Sequence, residues 1–172
     1  MNIYKALSLL LEYPEQELIA NLDELGQRIA ESDEIEAAEK ATLRRMLDYL
    51  ANGDLTELQA DYVKTFDLVA DHSLHLTHHL FGDDKNRGPA LIDLTEMYKE
   101  YGIQLAANEL PDYLPLVLEF AAQLDDSEAR VFLADAAKVT NVLASNLEKA
   151  DSPYAACIRL IENRGSLVKL AA

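Results

Sequence analysis

Apolar side chains recur at steps of three and four along almost the whole chain, and no stretch keeps the period of two that a half-buried strand would need. The pattern predicts an all-α protein. Ile3, Ala6, Leu7, Leu10 and Leu11 share one helical face, and Pro14 pushes the preceding Tyr13 out of the helical region, so a first helix stops there. Pro14 opens a second helix carrying Leu18, Leu22, Leu25 and Ile29, and a third bears Ile35, Leu43, Met46, Leu47 and Leu50 up to Asn52-Gly53.

Asp54 and Glu57 stand three apart ahead of Leu58, which suits an N-terminal cap and starts a fourth helix at about Leu55. Its stripe is Leu55, Leu58, Tyr62 and Phe66, and it loosens near Asp67, Asp71 and His72. A short helical stretch from Leu74 to Leu80 ends at Gly82, and residues 82–89 form the most loop-like run. A helix from Pro89 to Gly102 carries Leu91, Leu94, Met97, Tyr98 and Tyr101. The following irregular segment, near 103–111, is the natural hinge, and Pro111 and Pro115 bracket the entry into a helix bearing Leu116, Leu118 and Phe120. Two last helices are expected over 128–149 and 153–170. With no internal repeat or composition break, the 172 residues are expected to form one domain.

Charge narrows the function. The formal net charge is −16, from 31 acidic and 15 basic residues, and residues 54–126 alone hold 15 acidic and 4 basic side chains. Such a field repels nucleic acid and anionic membrane surfaces and favours a basic partner. Cys157 is the only cysteine and lies among apolar neighbours, which excludes an intrachain disulfide and fits a buried filler. No apolar run reaches the length of a membrane span, and no cleavable leader is evident, so a cytoplasmic location without stable membrane association is expected.

His72, His75, His78 and His79 are all the histidines of the chain. Their spacing raises the alternative of a metal-dependent enzyme built on this cluster, but Leu76 stands where a zincin helix would carry its Glu, and no metal is expected. The stronger reading points His75 and one of His78 or His79 at a groove, as hydrogen-bonding heads for a peptide backbone. Phosphate loops and nucleophile elbows are absent. No catalytic residue and no cofactor is therefore expected. Arg87, between two glycines and ahead of Asp93, reads as a structural clamp closed by an Arg87–Asp93 ion pair. Glu109 and Asp112 flank the rigid Pro111, so that Glu109 is free to grip a positive group while Asp112 caps its own helix.

Taken together, several phrases carry a family resemblance. They are Leu9-Leu10-Leu11-Glu12-Tyr13-Pro14, Tyr62 to Asp67, Ser73 to His78, Gly82 to Gly88 with Asp93-Leu94, and Glu109-Leu110-Pro111-Asp112 through Leu114-Pro115, Leu118-Glu119 and Gln123-Leu124. The chain resembles the nitrate reductase delta-subunit family, the NarJ-type molybdenum-cofactor assembly chaperones within the wider TorD and DmsD group. The resemblance implies a helical bundle of the TorD-like type. It also implies a chaperone that binds the N-terminal leader of the nitrate reductase catalytic (alpha) subunit, assists cofactor insertion, and is absent from the finished enzyme. By that analogy a peptide groove lies beside the hinge, with Tyr62, Phe66, His75, His78, Glu109, Pro111 and Asp112 as its contacts. A homodimer formed by exchanging helices across the hinge is left open.

Overall fold

The computed structural model describes residues 1–106 and 108–166. Every regular element within them is helical, and the sole β-type pairing is an isolated antiparallel bridge between His75 and Tyr113. Helix α1 (Ile3–Leu11) is the centre of the bundle. Ile3, Tyr4, Ala6, Leu7, Leu10 and Leu11 are all buried, so it is apolar over most of its circumference, as a helix enclosed by others must be. Asn2 starts it by accepting the Lys5 amide at 3.0 Å, and the helix ends where Pro14 requires.

Around α1 pack α8 (Leu114–Ala121), α4 (Ala37–Asn52) and α3 (Leu22–Ala30). The contacts fix directions. Asn2 reaches the Ala122 carbonyl at 2.8 Å, Lys5 meets Glu119 at 2.8 Å, and the buried Ser8 hydroxyl donates to the Pro115 carbonyl at 2.8 Å, so α1 and α8 run antiparallel. Ser32, just beyond α3, donates to the Met1 carbonyl at 2.6 Å, which brings α3 back along α1 in the opposite direction too.

On the far side of the core α11 (Ala155–Gly165) packs between α9 (Asp126–Ala134) and α10 (Ala137–Lys149). A Cβ on Gly165 would lie 2.8 Å from the Leu133 carbonyl, so this close approach of α11 to α9 requires glycine. Arg164, one residue earlier, is buried and forms a two-pronged ion pair with Glu39 of α4 at 2.7 and 2.6 Å, while a further nitrogen meets Asp126 at 2.8 Å. Tyr4 of α1 donates to the same Asp126 carboxylate at 2.9 Å. One guanidinium thus ties four helices. Burial opposes its charge, yet Glu39 outweighs that and holds the Arg164 guanidinium above its already high range.

Several boundaries differ from the sequence expectation. The second expected helix is two helices, α2 (Gln16–Ala20) and α3, because the Asn21 side chain donates to the Glu17 carbonyl at 2.8 Å and competes with the backbone ladder. The segment expected over 128–149 breaks at Asp135-Ala136 into α9 and α10, where Ala136 bonds back to Leu133. Helix α5 (Leu55–Tyr62), capped by Asp54 as expected, widens into a π-turn over Val63–Asp67 that turns Phe66 into the core. The expected continuation of the last helix to Leu170 lies outside the described residues.

Helix α7 (Arg87–Glu100), which begins two residues before Pro89, is held more lightly than the others. Only Tyr98 of it is buried, in a small satellite core with Leu116 and Phe120. The expected hinge segment is tethered at both sides of that core: Ile103 and Leu105 pack on it, and the Tyr98 hydroxyl donates to the Pro111 carbonyl at 2.7 Å.

Candidate functional site

The His75–Tyr113 bridge brings the two motif-rich phrases of the sequence side by side, with Leu76 donating to the Asp112 carbonyl and Leu114 to the Leu74 carbonyl. At the bridge Asp112 is fully buried. Its carboxylate accepts the Thr77 amide at 3.0 Å and the Thr77 hydroxyl, and His75 Nδ1 lies 3.4 Å away. Burial alone would raise the Asp112 carboxyl, but hydrogen bonds from His75 and Thr77 overcome it and keep the group below the usual carboxylate range. Asp112 therefore caps the short α6 (Leu76–Phe81) and not its own α8, which starts without a side-chain cap.

Arg87 joins the same network. Its Nε donates to the Thr77 hydroxyl oxygen at 3.0 Å, clamping the start of α7 to α6. No Arg87–Asp93 ion pair occurs among the described residues, contrary to expectation. Six residues on a helix amount to a rotation of about 240°, so Asp93 faces elsewhere and is exposed.

The aromatic pair expected to meet a peptide is interior. Tyr62 and Phe66 are 4% exposed each, and their rings stand 4.8 Å apart within a cluster that includes Tyr154. The Tyr62 hydroxyl donates to the Leu11 carbonyl at 2.9 Å, which stands at the end of α1 where no amide can take it, and lies 2.7 Å from the Tyr113 hydroxyl. Pro111 is buried as well. Tyr62, Phe66, Pro111 and Asp112 are thus supports, since an apolar stripe with hydroxyl or carboxylate heads satisfies a core as well as it satisfies a ligand.

The histidines do not converge. His72 Nδ1 pairs with the Thr65 carbonyl at 3.1 Å and His79 Nε2 with the Ser73 carbonyl at 2.7 Å, while half-buried His78 packs its ring against His79. Among the described residues no three His, Cys, Asp or Glu side chains are grouped to hold a metal ion, which removes the geometric basis of the metal-enzyme alternative. His75 stacks on Tyr113 with ring centres 5.4 Å apart.

Of the seven contacts carried over by resemblance, only Glu109 lines the large surface groove. This groove, about 650 Å³, runs along α1 between α2 and α3 on one side and the start of α8 on the other. Its floor is apolar, from Leu9, Leu18, Leu25, Pro115 and Leu116. Its rim is acidic, from Glu12, Glu15, Glu17, Glu24, Glu109 and Glu119, with Arg28 the one cationic side chain among its lining residues. Four of these six acids precede residue 54, so the middle of the chain supplies less of the local field than its charge count suggests.

Glu12 registers that crowding. It keeps more than a third of its surface open, yet desolvation by the groove walls, followed by repulsion from Glu119, pushes its carboxyl above the usual range, with Lys5 opposing. A groove that discourages the charge of its own carboxylate is poised to accept a cation. Sequence reasoning missed Glu12, Glu15 and Glu17 because three carboxylates around a helix end look like an ordinary solvated face. The available signal was Pro14, which forces the chain to turn and sets these acids at one end of α1.

Comparison with known proteins adds identity to this geometry. The model of the family described as nitrate reductase delta subunit matches residues 32–158. The nitrate reductase molybdenum cofactor assembly chaperone NarJ of Escherichia coli (strain K12) is 38% identical over 154 residues, covering 90% of this chain and 65% of that protein. A Bacillus subtilis (strain 168) protein assigned to the same assembly role is 35% identical, covering 92% of this chain and 85% of that one. The chain therefore spans about two thirds of the Escherichia coli relative. A crystal structure of a candidate redox enzyme maturation protein from Archaeoglobus fulgidus shares the fold, with a TM-score of 0.61 at 21% identity, over 93% of this chain and 90% of that one.

Proposed function

The chain belongs to the nitrate reductase delta-subunit family, and we propose that it is an assembly chaperone that holds the N-terminal leader of the nitrate reductase catalytic subunit while the molybdenum cofactor is inserted. It acts in the cytoplasm on the unfinished enzyme and is left behind when assembly is complete. The relatives are named as assembly chaperones, and no helix among the described residues is long and apolar enough to cross a membrane.

The single observation that supports leader binding is the groove along α1. Its apolar floor suits the hydrophobic face of an amphipathic segment, and its acidic rim suits basic residues flanking that face. Neither half is sufficient alone: carboxylates exposed to water contribute little without an apolar surface to bury, and a floor of five side chains gives no selection between leaders. The role asks for reversible holding, for which a groove open to solvent is better suited than a closed cavity.

Calorimetric titration with a peptide copying the leader of a nitrate reductase catalytic subunit tests the reading. Saturable binding that tightens as salt is lowered is expected, because the attraction is screened over about 10 Å at 0.1 M salt. Glu109→Lys is expected to weaken it more than it lowers the melting temperature, since the one hydrogen bond it removes, from the Ala106 amide at 3.2 Å, is exposed. No saturable binding at low salt, with the chain folded, would count decisively against it.

A further inference from the structure

The groove has two unlike ends. Toward the start of α1 its charges are already matched within the protein, Lys5 with Glu119 at 2.8 Å and Arg28 with Glu24 at 3.9 Å. Around the end of α1 and the start of α2 they are not. Among the described residues no cationic side chain forms an ion pair with Glu12, Glu15, Glu17 or Glu109. The helix directions keep these ends apart. Helix α8 runs antiparallel to α1, which places the segment from Glu109 to Tyr113 beside the end of α1, where the Tyr62 hydroxyl bridges Leu11 and Tyr113. Helix α3 also returns antiparallel, so Arg28 lies toward Met1. The nine residues of α1 separate the two ends by about 13 Å.

A polypeptide segment lying in this groove meets a field that differs from end to end. Its own charges differ from end to end as well. A free α-amino group and the positive end of a helix dipole both belong to its N-terminal side, and basic residues of a leader add to them there. Its C-terminal side presents carbonyl groups with partial negative charge, which an arginine suits and a cluster of unpaired carboxylates repels.

We infer that the groove accepts its polypeptide in one polarity, with the basic amino-terminal end of the bound segment at Glu12, Glu15 and Glu109 and its carboxy-terminal end beside Arg28. This rests on the leader-binding reading and goes beyond it by fixing the direction of the occupant. The raised Glu12 carboxyl is consistent with it, since burial first and Glu119 second disfavour its charge, and a bound ammonium or guanidinium group offsets both. The reversed segment leaves four carboxylates unmatched and places its positive end against the only arginine of the groove.

Nitroxide labels at the two ends decide the matter. Gln16→Cys and Gln27→Cys are exposed, lie outside the groove lining, and mark the α2 end and the Arg28 end; Cys157 is buried and stays unlabelled in the folded chain. The probe is a synthetic isotope-labelled peptide of about 15 residues, some 22 Å as a helix, copying the nitrate reductase leader. The label at position 16 is expected to broaden the amide signals of the N-terminal peptide residues more strongly, and the label at 27 those of the C-terminal residues. A second peptide of the same composition, with its basic residues moved to the C-terminal half, is expected to bind the unlabelled chain about tenfold more weakly. The reverse broadening pattern, or equal affinity of the two peptides, overturns the polarity and leaves leader binding standing. If neither peptide binds the unlabelled folded chain, leader binding itself falls and the polarity with it.

Discussion

Asp112 caps a helix to which it does not belong: its carboxylate accepts the amide of Thr77, 35 residues away, at 3.0 Å. The bond pins α6 to the entry of α8, and Arg87 adds α7 through the same Thr77 hydroxyl. Asp112→Ala strips the buried Thr77 amide and hydroxyl of their acceptor, at a cost of about 1–3 kcal/mol for each buried donor left unpaired. Urea unfolding of the variant should show that loss, and Asp112→Asn, which keeps the shape, a smaller one.

The same carboxylate gives an acid signature. Its folded-state pKa is lowered, so its stabilisation is complete above the unfolded carboxyl range, about pH 4, and is lost as pH falls through the lower folded value. The stability gap between the native chain and Asp112→Asn is therefore expected to be full at pH 6 and to shrink below about pH 4. A gap independent of pH would show that Asp112 is not ionised in the fold.

Arg164 and Glu39 make a second long-range device. Removing one partner of a buried ion pair leaves the other uncompensated and typically costs about 3–5 kcal/mol. Arg164→Met should approach that cost, with Glu39→Gln close behind. In a double-mutant cycle the two losses should be far from additive, because most of each is the penalty on the partner left behind.

Packing predictions follow burial. Leu118 of α8 is fully buried in the main core, so Leu118→Ala is expected to lose about 2–5 kcal/mol. Leu94 stands on the lightly held α7 and is only partly buried, so Leu94→Ala should lose distinctly less. Gly165→Ala forces a methyl group against the Leu133 carbonyl and is expected to cost about 1–3 kcal/mol. Thermal unfolding of the three variants should rank them with Leu94→Ala the mildest.

How much of this the sequence discloses depends on how local each cause is. Pro14 and the Asp54 cap act on their own neighbours, and both boundaries were legible. The break at Asn21 was not, since an asparagine inside an apolar pattern stops a helix only when its side chain turns back on the ladder. Tyr62 and Phe66 were carried over as ligand contacts by resemblance, and helical spacing could not correct this, because it shows which side chains share a face and not what that face meets. Asp112 read as a local cap for the same reason: its true partner is brought near only by the pairing of residues 74–76 with 112–114. Arg164 left a trace, as it extends the buried stripe of Cys157, Ile158 and Ile161 by one more helical step, where a charge needs a buried partner.

Glu12 separates stability from binding. A carboxyl whose folded-state pKa is raised above its unfolded value penalises the unliganded fold at neutral pH, and the penalty fades as pH falls and the group protonates. Glu12→Gln is therefore expected to melt no lower than the native chain at pH 7, with any gain disappearing below about pH 4. Its affinity for a basic leader peptide should fall about 2–5-fold, the range for one partly exposed charge pair. Because a bound cation draws the Glu12 pKa back down, binding near that pKa should release protons. Titrations in two buffers of different ionisation heat would detect the release in the native chain and a reduced one in Glu12→Gln, whereas a variant that binds and releases protons as the native chain does would place the cation away from Glu12.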